Sequence, residues 1–548
     1  MSKIKMFALG GLNEIGKNMY VVEVDEDIYV FEAGLKYSDD RSLGIDYTLP
    51  NYDYLKENKD RIIGIFITHG HDEQMGALAD ILEDLPDVNI YATAFTLEVI
   101  KQDLIDAGIE GAKLHELAIH KKVTFGKNSI FPVRVSHSIP DSVMYVLYTE
   151  DGAIVFSGNY VFDPSMPGAF NADIGKIAYV GKQGVLCLLN ESIYAPKRGF
   201  TSPSHKAYTI IRETINKNPG RILFNLMPAQ IYRIQELFDE VSKTHRNVVI
   251  MGKKLETMIL KAIELGYVDF DRERIKTIRH VNDEGIIVIV SSEREVPYYN
   301  MKRIIKGYDK FINLTDEDTV VFASPIYDNI EVTSTQVFDD IAKIGCNLVI
   351  LSKKQFRSPH ASSEDIMMMI NMLQPKYYFP VIGEYREQVE NAKLAKTMGI
   401  KEENILLKLN GDVVTIENGK YVDTNSKVKT DEILIDGKQS GDIGDLVLKD
   451  RELLADNGIV IVTTTLDKVT KRILAGPEIL TRGFIYVKEN SDLIKEAEQI
   501  SLEVINECIN PNYVDFNKVK NGIRDRLGKY LYQQTSSKPM IIVVVQEV

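Results

Sequence analysis

Ile67-Thr68-His69-Gly70-His71-Asp72-Glu73-Gln74-Met75-Gly76 joins an apolar run, Ile62 to Ile67, to an amphipathic segment beginning near Glu73. The first reads as a strand and the second as a helix, so the imidazoles of His69 and His71 are expected at a strand's carboxyl end. Metal hydrolases gather ligands at such a place, because two neutral imidazoles one residue apart can converge on one cation. Asp72, next in line, fits surface or helix-capping duty better than ligation. The helix is expected from Met75 to Leu85, with Met75, Leu78, Leu82 and Leu85 on one face.

Working outward, short strands are expected at Ile4 to Leu9, Tyr20 to Val24, Ile28 to Glu32, Ile130 to Val135, Met144 to Tyr148, Ala153 to Phe156 and Val185 to Leu189. Helical segments lie between them, which predicts a layered α/β sandwich. Pro196 to Ser204 is a Pro/Ser/Gly-rich break. A second alternation of strands and helices follows it, through Arg221 to Leu226, Val248 to Met251, Ile286 to Val290, Thr319 to Phe322 and Leu348 to Leu351. A helix from Glu364 to Leu373 and a strand from Tyr377 to Ile382 precede a polar stretch, residues 417–440, that reads as a linker. Beyond it, Ile459 to Thr464, a long helix near Asp492 to Ile509 and a closing strand from Met540 to Val545 make a small α+β tail.

The chain has 548 residues, 44% hydrophobic and 26% charged, enough for roughly three to four globular domains. Its net charge of −14 excludes nonspecific coating of nucleic acid, so any RNA or DNA contact must be local. The three cysteines, Cys187, Cys346 and Cys508, form no CxxC pair, which favours a reducing compartment. No signal-like N-terminus or long apolar run occurs, and a cytoplasmic protein without membrane contact is expected.

Several runs together resemble the ribonuclease J family, the bacterial β-CASP metallo-β-lactamase nucleases. They are Phe7-Ala8-Leu9-Gly10-Gly11-Leu12-Asn13-Glu14-Ile15-Gly16-Lys17-Asn18, Leu43-Gly44-Ile45-Asp46-Tyr47, Thr68-His69-Gly70-His71, Ser136-His137-Ser138-Ile139-Pro140-Asp141-Ser142, Gly184-Val185-Leu186-Cys187-Leu188-Leu189, Gly383-Glu384-Tyr385-Arg386 and Thr481-Arg482-Gly483-Phe484-Ile485-Tyr486. The resemblance runs nearly end to end. It implies an αββα metallo-β-lactamase sandwich (residues 1–195 and 361–416) split by a β-CASP α/β domain (196–360), then the linker (417–440) and a C-terminal α+β assembly domain (441–548).

Intact members of the family hold two zinc ions on seven ligands and degrade RNA from its 5′ end, preferring a 5′ monophosphate, with some internal cleavage. Carried over position by position, His69, His71 and His137 stand, and four ligands do not. The Asp and His of the signature are Glu73 and Gln74, the bridging Asp of a Thr-Gly-Asp motif is Asn159, and the His before Gly383 is Ile382. An early supporting Asp is Glu32, the β-CASP acidic position is Glu191, and the β-CASP His before an Arg is Tyr232. The phosphate-holding segment reads Phe356-Arg357-Ser358-Pro359-His360-Ala361-Ser362, in which Arg357, Ser358 and His360 remain able to hold RNA phosphate and Pro359 lacks an amide donor.

Within the family the chain resembles the degenerate second paralogue of bacteria that carry two copies. The expectation is at most one divalent ion per chain, zinc or manganese, with a metal-free polar cluster of imidazoles as the other outcome. The reading that follows is an RNA-binding and scaffolding subunit beside an active ribonuclease J homologue, a homodimer when alone, taking 5′-monophosphorylated RNA. Two rivals stand against it: a weak one-metal ribonuclease, and a non-catalytic β-CASP binding protein without a nuclease partner.

Overall fold

The computed structural model describes residues 2–37, 44–202, 205–228, 230–291, 298–324, 326, 330–352, 355, 360–437, 439–440, 445–485, 491–510 and 513–548. Two compact units are present, one made of Met1–Asp40 with Ile45–Gly437, the other chiefly of Lys438–Val548.

In the first unit an eight-stranded sheet runs in the order Lys420–Val422, Val414–Glu417, Lys3–Gly10, Met19–Val24, Asp27–Phe31, Ile62–Phe66, Asn89–Ala92, Lys113–Glu116. A six-stranded sheet faces it, ordered Tyr377–Val381, Val185–Glu191, Gly152–Phe156, Val143–Thr149, Asn128–Arg134, Val123–Phe125. Alternate side chains of the two sheets meet in one apolar layer that includes Tyr20, Phe31, Phe66, Tyr145, Phe156 and Phe379. Phe31 stacks on Phe156 at 5.4 Å and Phe66 on Tyr91 at 4.9 Å between centroids. Helices cover both outer faces, Leu78–Asp84 and Ala94–Ala107 on one, Ile174–Lys182 and Ser363–Leu373 on the other. The result is the αββα sandwich expected from the sequence.

The chain leaves this sandwich after Val185–Glu191 and returns in the neighbouring parallel strand Tyr377–Val381. Between them it builds a separate, wholly parallel sheet ordered Ile275–Lys276, Val248–Met251, Ile287–Ser291, Ile222–Leu226, Thr319–Phe322, Asn347–Ile350. Both faces are buried, which is why its central strands are near-continuous runs of Ile, Val, Leu and Phe.

Two expectations need correction. The stretch 417–440 is not a bare linker, because Lys420–Val422 pairs with Val414–Glu417 and Glu432–Asp436 pairs with Tyr47–Pro50. The helix expected from Met75 to Leu85 is two pieces, Asp72–Met75 and Leu78–Asp84. At the break Ala77 donates to the Ala33 carbonyl, and Ala33 donates to that of Gln74, so backbone groups that would continue a helix serve the neighbouring strand end. All four apolar residues of the expected face still enter the core.

The second unit contains a three-stranded sheet ordered Ile473–Arg482, Ile459–Leu466, Met540–Glu547. Helices Ser491–Cys508 and Phe516–Thr535 pack on one face through Val504, Ile505, Val519, Ile523, Leu527 and Leu531. Gly441 to Gly444, at the start of the expected tail, and Tyr486 lie outside the described residues.

Candidate metal centre

The loop after Ile62–Phe66 is fixed from several sides. Ile67 donates to Tyr91, the Tyr145 hydroxyl donates to the Ile67 carbonyl at 2.8 Å, and Val143 donates to the Thr68 carbonyl at 3.1 Å. Glu32 accepts the Thr68 amide at 3.1 Å and its hydroxyl at 2.5 Å, and that hydroxyl oxygen stands 2.8 Å from His69 Nδ1. His71 then begins the short helix Asp72–Met75 with its carbonyl taking the Gln74 and Met75 amides. Asp72 turns to the Tyr37 hydroxyl, 3.0 Å away.

His137 arrives from the opposite sheet, on a loop closed by the Val135 amide and the Ser142 carbonyl. One nitrogen from each of His69, His71 and His137 lies within 4.8 Å of the others, and this is the group among the described residues able to hold an ion. His69 Nε2 and His71 Nδ1 are 3.1 Å apart, against about 3.3 Å for two nitrogens on a tetrahedral zinc with ordinary bond lengths. Burial, with the neighbouring imidazoles adding to it, holds His69 well below its usual pKa, so it stays neutral and keeps a lone pair. The residues present therefore fit one cation.

Beside them, polar side chains bond one another. Gln74 donates to the Asn159 side-chain oxygen at 3.1 Å, and Asn159 donates to Glu191 at 3.1 Å. His360 Nδ1 is 2.9 Å from the same Glu191 oxygen and 2.8 Å from the Asn159 amide nitrogen. A carboxylate only accepts, so Glu191 receives N–H groups from Asn159, Tyr160 and Ala361, with His360 Nδ1 as its fourth neighbour. Its charge is spent inside the protein, and the two amides bring none. Gly158, at φ +56°, makes the turn that sets Asn159 here, and a Cβ there would meet Thr68 at 3.0 Å.

Glu73 is not part of the histidine cluster. Ile382 packs among the apolar side chains between the sheets, with its amide bonded to the buried Tyr20 hydroxyl at 3.1 Å. Its φ of +53° is a strained value for a β-branched residue. His360, at a ring distance of 5.3 Å from His137, is held by Thr201 on its carbonyl and by Asp365 on the following turn. Arg357 and Ser358, expected to join it on phosphate, lie outside the described residues.

Tyr232 packs on Phe170 and His205, and its amide donates to the Ser138 carbonyl at 2.9 Å. Burial raises its phenol far above neutrality, so it cannot exchange protons as an imidazole would. Sequence reasoning missed its neighbour. His205 and Asp163 form a buried pair at 2.9 Å, joined by Lys206 at 3.3 Å. Burial alone would raise the Asp163 carboxyl, but hydrogen bonds from His205 and Ser165 outweigh it and hold the carboxyl low. Asp163 lies on the segment that follows the strand Gly152–Phe156 past Asn159, and nothing in the sequence pairs it with His205.

Glu32 supplies a pH test. Burial, partly offset by Thr68, lifts its carboxyl from 4.5 to about 8. The fold then keeps a proton that the unfolded chain loses, so this stabilisation is full below 4.5 and falls as pH rises towards about 8. The slope from one such group is about 1.4 kcal/mol per pH unit. Glu32→Gln is expected to remove that slope, read from denaturant unfolding at pH 5 and pH 8. An unchanged pH dependence would show that Glu32 is ionised in the fold.

Comparison with known proteins places each of these segments. Residues 12–179 match the family model of the metallo-beta-lactamase superfamily, and 219–340 that of the ribonuclease J beta-CASP domain. Residues 351–406 match the Zn-dependent metallo-hydrolase RNA specificity domain, and 446–548 the ribonuclease J C-terminal domain. Ribonuclease J 2 of Staphylococcus aureus (strain NCTC 8325 / PS 47) is 35% identical over 100% of this chain and 98% of its own length. Ribonuclease J 2 of Staphylococcus epidermidis (strain RP62A) is 34% identical over the same shares. A solved protein of unknown function from Enterococcus faecalis V583 has a similar fold, with TM-score 0.52 and 16% identity over 76% of this chain and 100% of that one.

Proposed function

The chain belongs to the ribonuclease J family, and from that premise we propose that it serves RNA processing and decay chiefly as an RNA-binding and scaffolding partner of an active ribonuclease J homologue. The observation that carries this reading is the Gln74–Asn159–Glu191–His360 network. Where two cations would need anionic ligands and a bridge, neutral amides bond one another and use up the one carboxylate among them. A divalent ion on His69, His71 and His137 would supply Lewis acidity and an activated water. The chain's own part is to orient those imidazoles through Glu32, Thr68 and Ser138 and to hold RNA phosphate near His360.

Elemental analysis after dialysis tests the metal side. At most one equivalent of zinc or manganese is expected per chain, and two retained equivalents would overturn the reading. The three-histidine cluster also favours a second reading, a weak one-metal ribonuclease, and degradation of a 5′-monophosphorylated RNA by the purified protein separates the two.

Partnership is supported by the second unit. On the sheet face away from its helices, Ile461 pairs with Leu480 on one side and Ile542 on the other, and both neighbours are exposed. We place there an assembly surface for the homologue and for the homodimer formed alone, in a cytoplasmic setting; among the described residues no helix is long and apolar enough to cross a membrane. Deleting residues 442–548 is expected to weaken capture of a tagged active homologue at least about tenfold. Undiminished capture by the truncated chain would move the assembly role elsewhere.

A further inference from the structure

The helix Tyr299–Ile305 and the turn after it contribute none of the clustered histidines. Tyr298, Met301, Ile304 and Ile312 anchor them in the apolar core of the parallel-sheet domain. That anchoring leaves Tyr299, Lys302, Arg303 and Lys306, spaced by three and four, on the outer side. Three aromatic side chains stand in the open here: Tyr299 is 53% exposed, Tyr308 72% and Phe311 49%.

Local bonds tie them into one surface. The Arg303 guanidinium lies 5.7 Å from the Tyr299 ring centroid and pairs with Asp309 at 3.7 Å. Asp309 takes the Phe311 amide at 2.9 Å, and the Tyr308 amide donates to the Arg303 carbonyl at 2.9 Å. Residues 299–311 hold four cations, Lys302, Arg303, Lys306 and Lys310, against one carboxylate, in a chain of net charge −14. Among the described residues Lys302, Lys306 and Lys310 make no ion pair.

Exposed rings beside unpaired ammonium groups fit a ligand with flat π faces and an anionic backbone. We propose that this surface binds single-stranded RNA outside the histidine cleft, with bases stacked on Tyr308, Phe311 and Tyr299 and phosphates neutralised by Lys302, Lys306 and Lys310. A duplex keeps its bases stacked on each other and offers these rings nothing, so the surface selects unpaired RNA. The inference takes from the preceding reading only that the ligand is RNA.

The test uses the full-length chain and a fluorescent oligo(U) of about 20 nucleotides in chelator, with a duplex of similar length as control. Tyr308→Ala with Phe311→Ala is expected to weaken oligo(U) binding at least about tenfold and to leave duplex binding unchanged. Lys306→Gln with Lys310→Gln should flatten the slope of log affinity against log salt by about 1.4, or about 0.7 for each single-strand phosphate that is no longer neutralised. If the wild type binds oligo(U) and both double variants match it within about twofold, the surface is not an RNA site, and the cleft reading stands. If the wild type binds no RNA at all, both readings fall. If the aromatic variants lose self-association instead of RNA, the surface belongs to protein contact and the proposal fails.

Discussion

Purified full-length protein is expected to degrade a 5′-monophosphorylated RNA on the order of a thousandfold, or more, more slowly than an intact ribonuclease J homologue under the same conditions. In-line displacement at phosphorus needs an activated water on one side and a stabilised leaving oxygen on the other, and a two-metal clamp serves both. Losing it should add about 4 kcal/mol to the barrier, each 1.36 kcal/mol being tenfold in rate. Among the described residues, the side chains at the family's positions are ill suited to take over. Tyr232 is a buried phenol, the Glu191 carboxylate already takes three N–H groups and faces His360 Nδ1, and Glu73 is not part of the histidine cluster. His69→Ala with His71→Ala divides the possible origins of any residual rate. Activity that survives both changes cannot use this centre. Robust metal-dependent activity that vanishes with them would favour the one-metal enzyme over the scaffold.

Legibility in the sequence depends on the range of the forces involved. Most strands of the central sheets were legible within one or two residues because burial writes itself into runs such as Val185-Leu186-Cys187-Leu188-Leu189, whereas Asn89–Ala92, Lys113–Glu116, Val123–Phe125 and Val414–Glu417 were missed. Residues 420–422 and 432–436 carry no such mark. The first closes a hairpin on Val414–Glu417 across the two-residue turn Asn418-Gly419, and the second exists because a distant segment, Tyr47–Pro50, presents an edge to it. The helix Phe516–Thr535 was missed for a related reason: its buried side is a single file, Val519, Ile523, Leu527 and Leu531, and Gly522 and Gly528 interrupt the pattern. At the site, His69, His71 and His137 were legible as ligand types at a strand end and a loop. The amide network was not, since nothing in the residue types says that Gln74 meets Asn159 or that Glu191 faces both Asn159 and His360. Nor does sequence reveal that His205 and Asp163 are buried against each other, because charged residues default to the surface.

Rebuilding the second site is the sharper experiment, because it separates metal ligation from substrate chemistry. Glu73→Asp, Gln74→His, Asn159→Asp and Ile382→His together are expected to restore a second bound equivalent and to raise RNA degradation by about a hundredfold, short of an intact homologue. Asn159→Asp is the pivotal change. It replaces an amide donor to Glu191 with a carboxylate, so the network can hold together only if a cation takes the place of that N–H. Without metal, the variant should accordingly be less stable than the parent. Ile382→His should cost less than its burial suggests, since an imidazole tolerates φ near +53° better than a β-branched side chain does. Recovery is expected to stay partial because Tyr232, beside Phe170 and His205, remains a phenol, and the chain keeps Pro359, which has no N–H to donate. Full activity from the four changes would show that Tyr232 and Pro359 have no consequence for the reaction. Two bound equivalents with no gain in rate would put the whole deficit on the RNA-holding side of the cleft, where Tyr232→His is then the next substitution to add.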